Sequence, residues 1–145
     1  MAARHILLVE DNPADARLTI ETFRRSPRQI QVEVCADGEG ALTRLRAPGA
    51  VQPELILLDL NLPGIDGREV LEALKSDQAL CRIPVCVLTT SRARTDVDLA
   101  YQKHSNCYVV KPVDLNAFRS AVEQIERFWF DTAQLPLFAA AQGAP

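Results

Sequence analysis

Apolar runs bounded by polar or turn residues occur at His5–Glu10, Ile30–Cys35, Leu55–Leu60, Pro84–Leu88 and Cys107–Val110, each of strand length. Three of them are almost continuously apolar, the pattern of strands covered on both faces, where no wet side imposes alternation. Helical stretches fill the gaps. Asn12-Pro13 starts the first, with Asn12 as the cap and Pro13 preset at the first helical position, and Ala16, Ile20 and Phe23 then share one side. Glu39–Leu45 gives a second helix, ended by Pro48-Gly49. A third runs from about Gly67 to Lys75 with Val70, Leu71 and Leu74 inward, and a fourth from about Arg94 to Lys103. Asp114 caps a last helix that reaches about Phe130. Five alternations of strand and helix predict an α/β fold: a doubly wound, five-stranded parallel sheet with right-handed crossovers and helices on both faces.

The last helix carries a second pattern. At about 100° per residue, Leu115, Phe118, Val122, Ile125 and Trp129 form a stripe for the core, Phe128 flanks it, and Phe130 lies well away. This predicts an exposed aromatic cluster that, with Leu135 and Pro136 and the Leu137-Phe138 that follow, forms a partner surface, most simply a symmetric dimer. The alternative is a tail that folds back over Phe130 within one chain. Residues 1–130 are read as one domain, and residues 131–145 as a C-terminal extension that dimerises or is partly disordered, its last residues frayed.

A chain of 145 residues with 48% hydrophobic and 24% charged residues is expected to form one soluble globular domain. Its formal net charge of −3 gives no positive field for nucleic acid. The N-terminal apolar run is too short for a signal peptide or membrane span, so a cytoplasmic location and no membrane partner are expected. Cys35, Cys81, Cys86 and Cys107 form no CxxC pair and read as buried, reduced thiols, with a redox pairing of Cys81 and Cys86 as the alternative. His5 and His104 have no acidic or second histidine neighbour and read as structural or exposed. Arg24, Arg25, Arg28, Arg92 and Arg94 read as solvated helix ends, although the last two follow a hydroxyl-bearing strand tip where an acidic partner could meet them.

In an open parallel sheet the ligand site lies beyond the carboxyl ends of the strands. Those ends are Glu10-Asp11, Asp59, Thr89-Thr90 and Lys111-Pro112. Three carboxylates held together repel unless a cation neutralises them. With only oxygen donors and no His or Cys at any tip, the expected ion is Mg²⁺ rather than Zn²⁺. Asp59, at the end of a central strand, is placed to attack phosphorus and form an acyl phosphate. Lys111 then provides fixed positive charge across the pocket, and the Thr89 hydroxyl donates to a phosphoryl oxygen.

The set Glu10-Asp11, Asp59 with Asn61-Leu62-Pro63-Gly64 and Asp66-Gly67, Thr89, and Tyr108-Val109-Val110-Lys111-Pro112 resembles the receiver domain of two-component response regulators over roughly residues 4–130. The resemblance implies a flavodoxin-like sheet of order 2-1-3-4-5. It implies Mg²⁺ held by Glu10, Asp11, Asp59 and the backbone carbonyl of Asn61, with Lys111 pairing with the phosphoryl group on Asp59. It further implies a cis Lys111-Pro112 bond and a Thr89/Tyr108 switch pair that reshapes the face around the fourth helix, fifth strand and fifth helix. The aromatic end Phe128-Trp129-Phe130 with Thr132–Pro136, and the run Leu88-Thr89-Thr90-Ser91, resemble more narrowly the single-domain regulators of phytochrome-type histidine kinases. That likeness implies a homodimer, a phosphohistidine donor and light as an upstream signal.

Other classes fit less well. An aspartyl phosphatase on a similar sheet resembles an Asp-x-Asp motif whose second acid moves protons, whereas position 61 is Asn. A long-lived acyl phosphate is therefore expected: a switch that catalyses its own phosphotransfer and slow dephosphorylation, not a turnover enzyme. No GxGxxG follows the first strand for a dinucleotide, and the stretch after residue 130 is too short for a DNA-binding output domain.

Overall fold

A computed structural model describes residues 3–136. The strands are β1 (Arg4–Val9), β2 (Ile30–Cys35), β3 (Leu55–Leu58), β4 (Val85–Thr89) and β5 (Cys107–Val110). Between and after them come α1 (Pro13–Arg24), α2 (Gly38–Arg46), α3 (Gly67–Ser76), α4 (Arg94–Gln102) and α5 (Leu115–Arg127). All strand pairs are parallel in the order β2-β1-β3-β4-β5, the order that the family resemblance implies.

Alternation along the central strands divides the core in two. Leu7, Val9, Ile56 and Leu58 face one layer with Val70, Leu71 and Leu74 of α3 and Ala41, Leu42 and Leu45 of α2. Ile6, Leu8, Leu55 and Leu57 face the other, with Ala16 and Phe23 of α1 and Phe118, Val122 and Ile125 of α5. Every residue of β3 and β4 is buried, which explains their unbroken apolar sequence. Asn12 caps α1 by accepting from Ala14 N and Asp15 N at 2.9 and 3.1 Å. Asp66 and Glu69 form a capping box on α3, and Asp114 caps α5 through Ala117 N.

Three expectations change. α5 stops at Arg127 and continues as a π-helical turn, Phe128–Thr132, closed by Ala133 N donating to Phe128 O at 2.8 Å. The wider turn shifts the helical phase, so Trp129 and Phe130 both enter the second core while Phe128 stays half exposed. Phe130 is thus covered within the chain, with the Arg4 guanidinium 5.2 Å from its ring centre. Leu115, the first residue of α5, is 61% exposed instead of facing the core. No described peptide bond is cis, so Lys111-Pro112 adopts trans, the intrinsically favoured form. Leu137-Phe138 and the rest of the predicted tail lie outside the described residues.

Candidate functional site

Backbone bonds that continue the sheet ladder fix the strand tips. Glu10 N donates to Cys35 O, Asp59 N to Val9 O and Lys111 N to Thr89 O, at 3.0, 3.0 and 2.7 Å. Glu10, Asp59, Thr89 and Lys111 are all buried despite their polarity. Ligand atoms of Glu10, Asp11 and Asp59 lie within 4.8 Å of one another, Asp11 being the exposed member.

Gly67 allows this crowding. A Cβ at that position would sit 2.2 Å from the Asp59 carbonyl oxygen and 2.5 Å from Leu60 Cα, so α3 packs its first residue directly on the backbone that carries Asp59. Gly67 N also donates to Leu60 O at 2.9 Å. The amide of Asn61 donates to Asp59 Oδ1 at 3.2 Å, orienting that carboxylate.

Lys111 joins the acids. Its Nζ donates to Glu10 Oε1 at 2.5 Å, Asp15 Oδ2 at 2.9 Å and Asp59 Oδ2 at 3.1 Å. Burial alone would lower the pKa of this ammonium, but the bonds to Glu10 and Asp15 and the charge of Asp59 outweigh it and raise the pKa. Burial pushes Glu10 up to about 7, against the opposing pull of Lys111. Glu10 Oε2 also accepts from Asn12 N at 3.1 Å.

The pocket therefore holds more negative charge than one ammonium neutralises. Its donors are all oxygen and one acid is open to solvent, a set that fits a hard divalent cation. The buried Thr89 hydroxyl has no hydrogen-bond partner among the described residues, so a polar group stands ready at the same end of the sheet for an incoming acceptor.

Tyr108 lies on the neighbouring strand and packs against the first core. Its hydroxyl donates to Ser91 O at 2.9 Å and is not bonded to Thr89. Burial raises the Tyr108 phenol pKa, with the Ser91 bond opposing. From Ser91 a chain of contacts continues: its Oγ donates to Asp96 Oδ2 at 2.6 Å, and Arg68 reaches Asp96 at 2.7 Å and Asp66 at 2.8 Å. The loop after β4 is thereby tied to the N-terminus of α3.

Sequence reasoning brought Glu10, Asp11, Asp59 and Lys111 to one point, and the structure does the same. It missed Asp15, whose signal was an acid in the first turn of a helix that begins at a strand tip. The Ser91-Asp96-Arg68 chain left no readable spacing. Of the predicted aromatic surface, Trp129 and Phe130 are buried, Leu135 and Pro136 are half-buried, and Phe128 remains 51% exposed.

A parallel sheet of this order with an acidic, lysine-bridged pocket at its carboxyl edge defines a class of phosphoryl-handling signalling domains. Residues 6–123 match the response regulator receiver domain, and the chain belongs to that family. The response regulator Rcp1 of Synechocystis sp. is 45% identical over 135 residues, covering 90% of this chain and 92% of that protein. The crystal structure of the phosphorylated cyanobacterial phytochrome response regulator RcpA superposes with a TM-score of 0.90 at 46% identity, covering 94% of this chain and all of that one. The Mn²⁺-bound form of Rcp1 superposes at 0.88 with 43% identity, covering 92% of this chain and 99% of that one.

Proposed function

We propose that the Asp59 carboxylate accepts a phosphoryl group from the phosphohistidine of a sensor histidine kinase, and that the chain signals by protein contact. One observation carries this reading: the Lys111 ammonium bridges Asp59 and Glu10 inside a cluster that still carries excess negative charge. A carboxylate oxygen of Asp59 attacks phosphorus, the bond from phosphorus to the imidazole nitrogen breaks, and the electron pair returns to the leaving imidazole. Lys111 holds positive charge beside the new acyl phosphate, and the unpartnered Thr89 hydroxyl donates to a phosphoryl oxygen. Glu10, Asp11, Asp59 and the carbonyl of Asn61 would hold Mg²⁺, which would supply the remaining charge neutralisation.

Once Thr89 has an acceptor, Tyr108 leaves Ser91 and turns inward, which alters the surface of α4, β5 and α5. Asn61 cannot serve as a proton-transfer group, so the acyl phosphate persists and the protein acts as a switch. The relatives described as phytochrome regulators support a bacteriophytochrome-type kinase as the donor. With an ATP-fed phosphohistidine donor, the reaction belongs in the cytoplasm. A second copy of the chain covers the exposed ring of Phe128, giving a homodimer.

The test is incubation with a phosphoramidate donor and Mg²⁺. One hydroxylamine-labile phosphoryl group should appear on the peptide holding Asp59, and it should be absent from Asp59→Asn and from a chelator-treated sample. Undiminished labelling of either sample would refute the mechanism.

A further inference from the structure

Cys86 and Cys107 are direct register partners on the parallel strands β4 and β5. Partners in register point to the same face, and both residues join the second core, Cys86 fully buried and Cys107 half-buried at the sheet edge. Neighbouring strands run about 4.8 Å apart, inside the range of about 4.4–6.8 Å between the Cα atoms of a disulfide. The Cys86 thiol donates to the Val87 carbonyl at 3.8 Å. All four cysteines are free thiols, and Cys81 sits apart from the sheet in the turn after α3, its Sγ 3.8 Å from Gln78 O.

We propose that Cys86 and Cys107 form an oxidisable dithiol, a modification site for small-molecule disulfides of the glutathione type. Cys107, the accessible member, attacks one sulfur of oxidised glutathione; the glutathione disulfide bond breaks, one glutathione thiolate leaves, and a mixed disulfide forms on Cys107. Cys86 then gives up its thiol proton and attacks the Cys107 sulfur, displacing the second glutathione as thiolate. Two protein thiols become one disulfide, and oxidised glutathione is reduced to two thiols.

The environment favours this order. The neighbouring Cys86 thiol lowers the Cys107 thiol pKa against the opposing effect of burial, and the Trp129 indole adds to the lowering. Burial instead pushes the Cys35 thiol up. The bond would tie together the strand that ends in Thr89 and the strand on which Tyr108 directly follows Cys107.

The experiment uses the full chain treated with oxidised glutathione, alkylated under denaturing conditions and digested with trypsin, which separates all four cysteines onto different peptides. The expected result is loss of the mass of two hydrogens, a linked pair of peptides containing Cys86 and Cys107, and alkylation confined to Cys35 and Cys81. The fluorescence of Trp129, the single tryptophan, should fall on oxidation and recover on reduction. In Cys86→Ser a stable glutathione adduct on Cys107 should replace the link. The proposal is overturned if Cys86 and Cys107 stay alkylatable while Cys35 or Cys81 carries glutathione, or if the natural chain stops at a Cys107 adduct.

Discussion

The Lys111 ammonium lies closer to Glu10, at 2.5 Å, than to Asp59, at 3.1 Å, and its third carboxylate partner, Asp15, is 2.9 Å away. Lys111 therefore holds the acid cluster together as much as it serves the proposed phosphoacceptor. Substitution by Met keeps the length of the side chain and leaves Glu10 and Asp59 buried without their counter-charge. Breaking a buried pair in this way costs about 3–5 kcal/mol. Urea denaturation in chelator should show a loss toward the lower end of that range, since Glu10 can protonate. Added Mg²⁺ should raise the midpoint of Lys111→Met more than that of the unsubstituted chain. Equal responses would mean that Lys111 does not offset the charge a cation neutralises.

How far this site was legible follows from where each residue stands. Glu10, Asp59 and Lys111 each follow an apolar run, and a charged residue directly after such a run marks a strand tip. Asp15 did not stand out, because its bond to Lys111 joins residues 96 positions apart and exists only once α1 and β5 are in place. The π turn was equally hidden: a regular helix of about 100° per residue puts Phe130 on the wrong side, and only packing against the second core favours the wider turn.

Gly67→Ala tests whether α3 holds Asp59 in position. The added methyl meets the Asp59 carbonyl oxygen at 2.2 Å and Leu60 Cα at 2.5 Å, backbone atoms that have little room to yield. Overpacking of this kind costs about 1–3 kcal/mol and sometimes more, so a loss of about 3 kcal/mol is expected in denaturant titration. Acyl phosphate formation should slow in the folded fraction, because Asp59 must shift. A stable variant with an unchanged phosphorylation rate would contradict this packing account.

Arg68→Ala tests the chain from Tyr108 to α3. The Ser91 hydroxyl, and after it the Arg68 guanidinium, hold the Asp96 carboxyl below the usual aspartate range. A depressed folded-state pKa stabilises the protein fully above the unfolded value of about 3.9, and that contribution is lost as pH falls through the folded value. Without Arg68 the Asp96 pKa, followed by side-chain NMR, should move up toward the ordinary value. Stability should then depend less on pH in the acid region. No movement would assign the depression to Ser91 alone.

Two aromatic residues separated by one position should answer differently to the same substitution. Phe130 is buried, packs into the second core and carries the Arg4 guanidinium 5.2 Å from its ring centre. Removing a buried phenylalanine ring costs about 3–5 kcal/mol, so Phe130→Ala should be strongly destabilised in urea. Phe128 is 51% exposed, and its ring makes an edge-to-face contact with Trp129 at 5.0 Å between centroids. Phe128→Ala should therefore stay within about 1 kcal/mol of the parent. In light scattering at micromolar concentration the order reverses: the parent should run as a dimer and Phe128→Ala as a monomer. A dimer that survives Phe128→Ala would move the interface away from the end of α5, whereas a monomeric parent would remove the dimer altogether. The pair separates the two roles because the π turn directs one ring into the core and leaves the other outside.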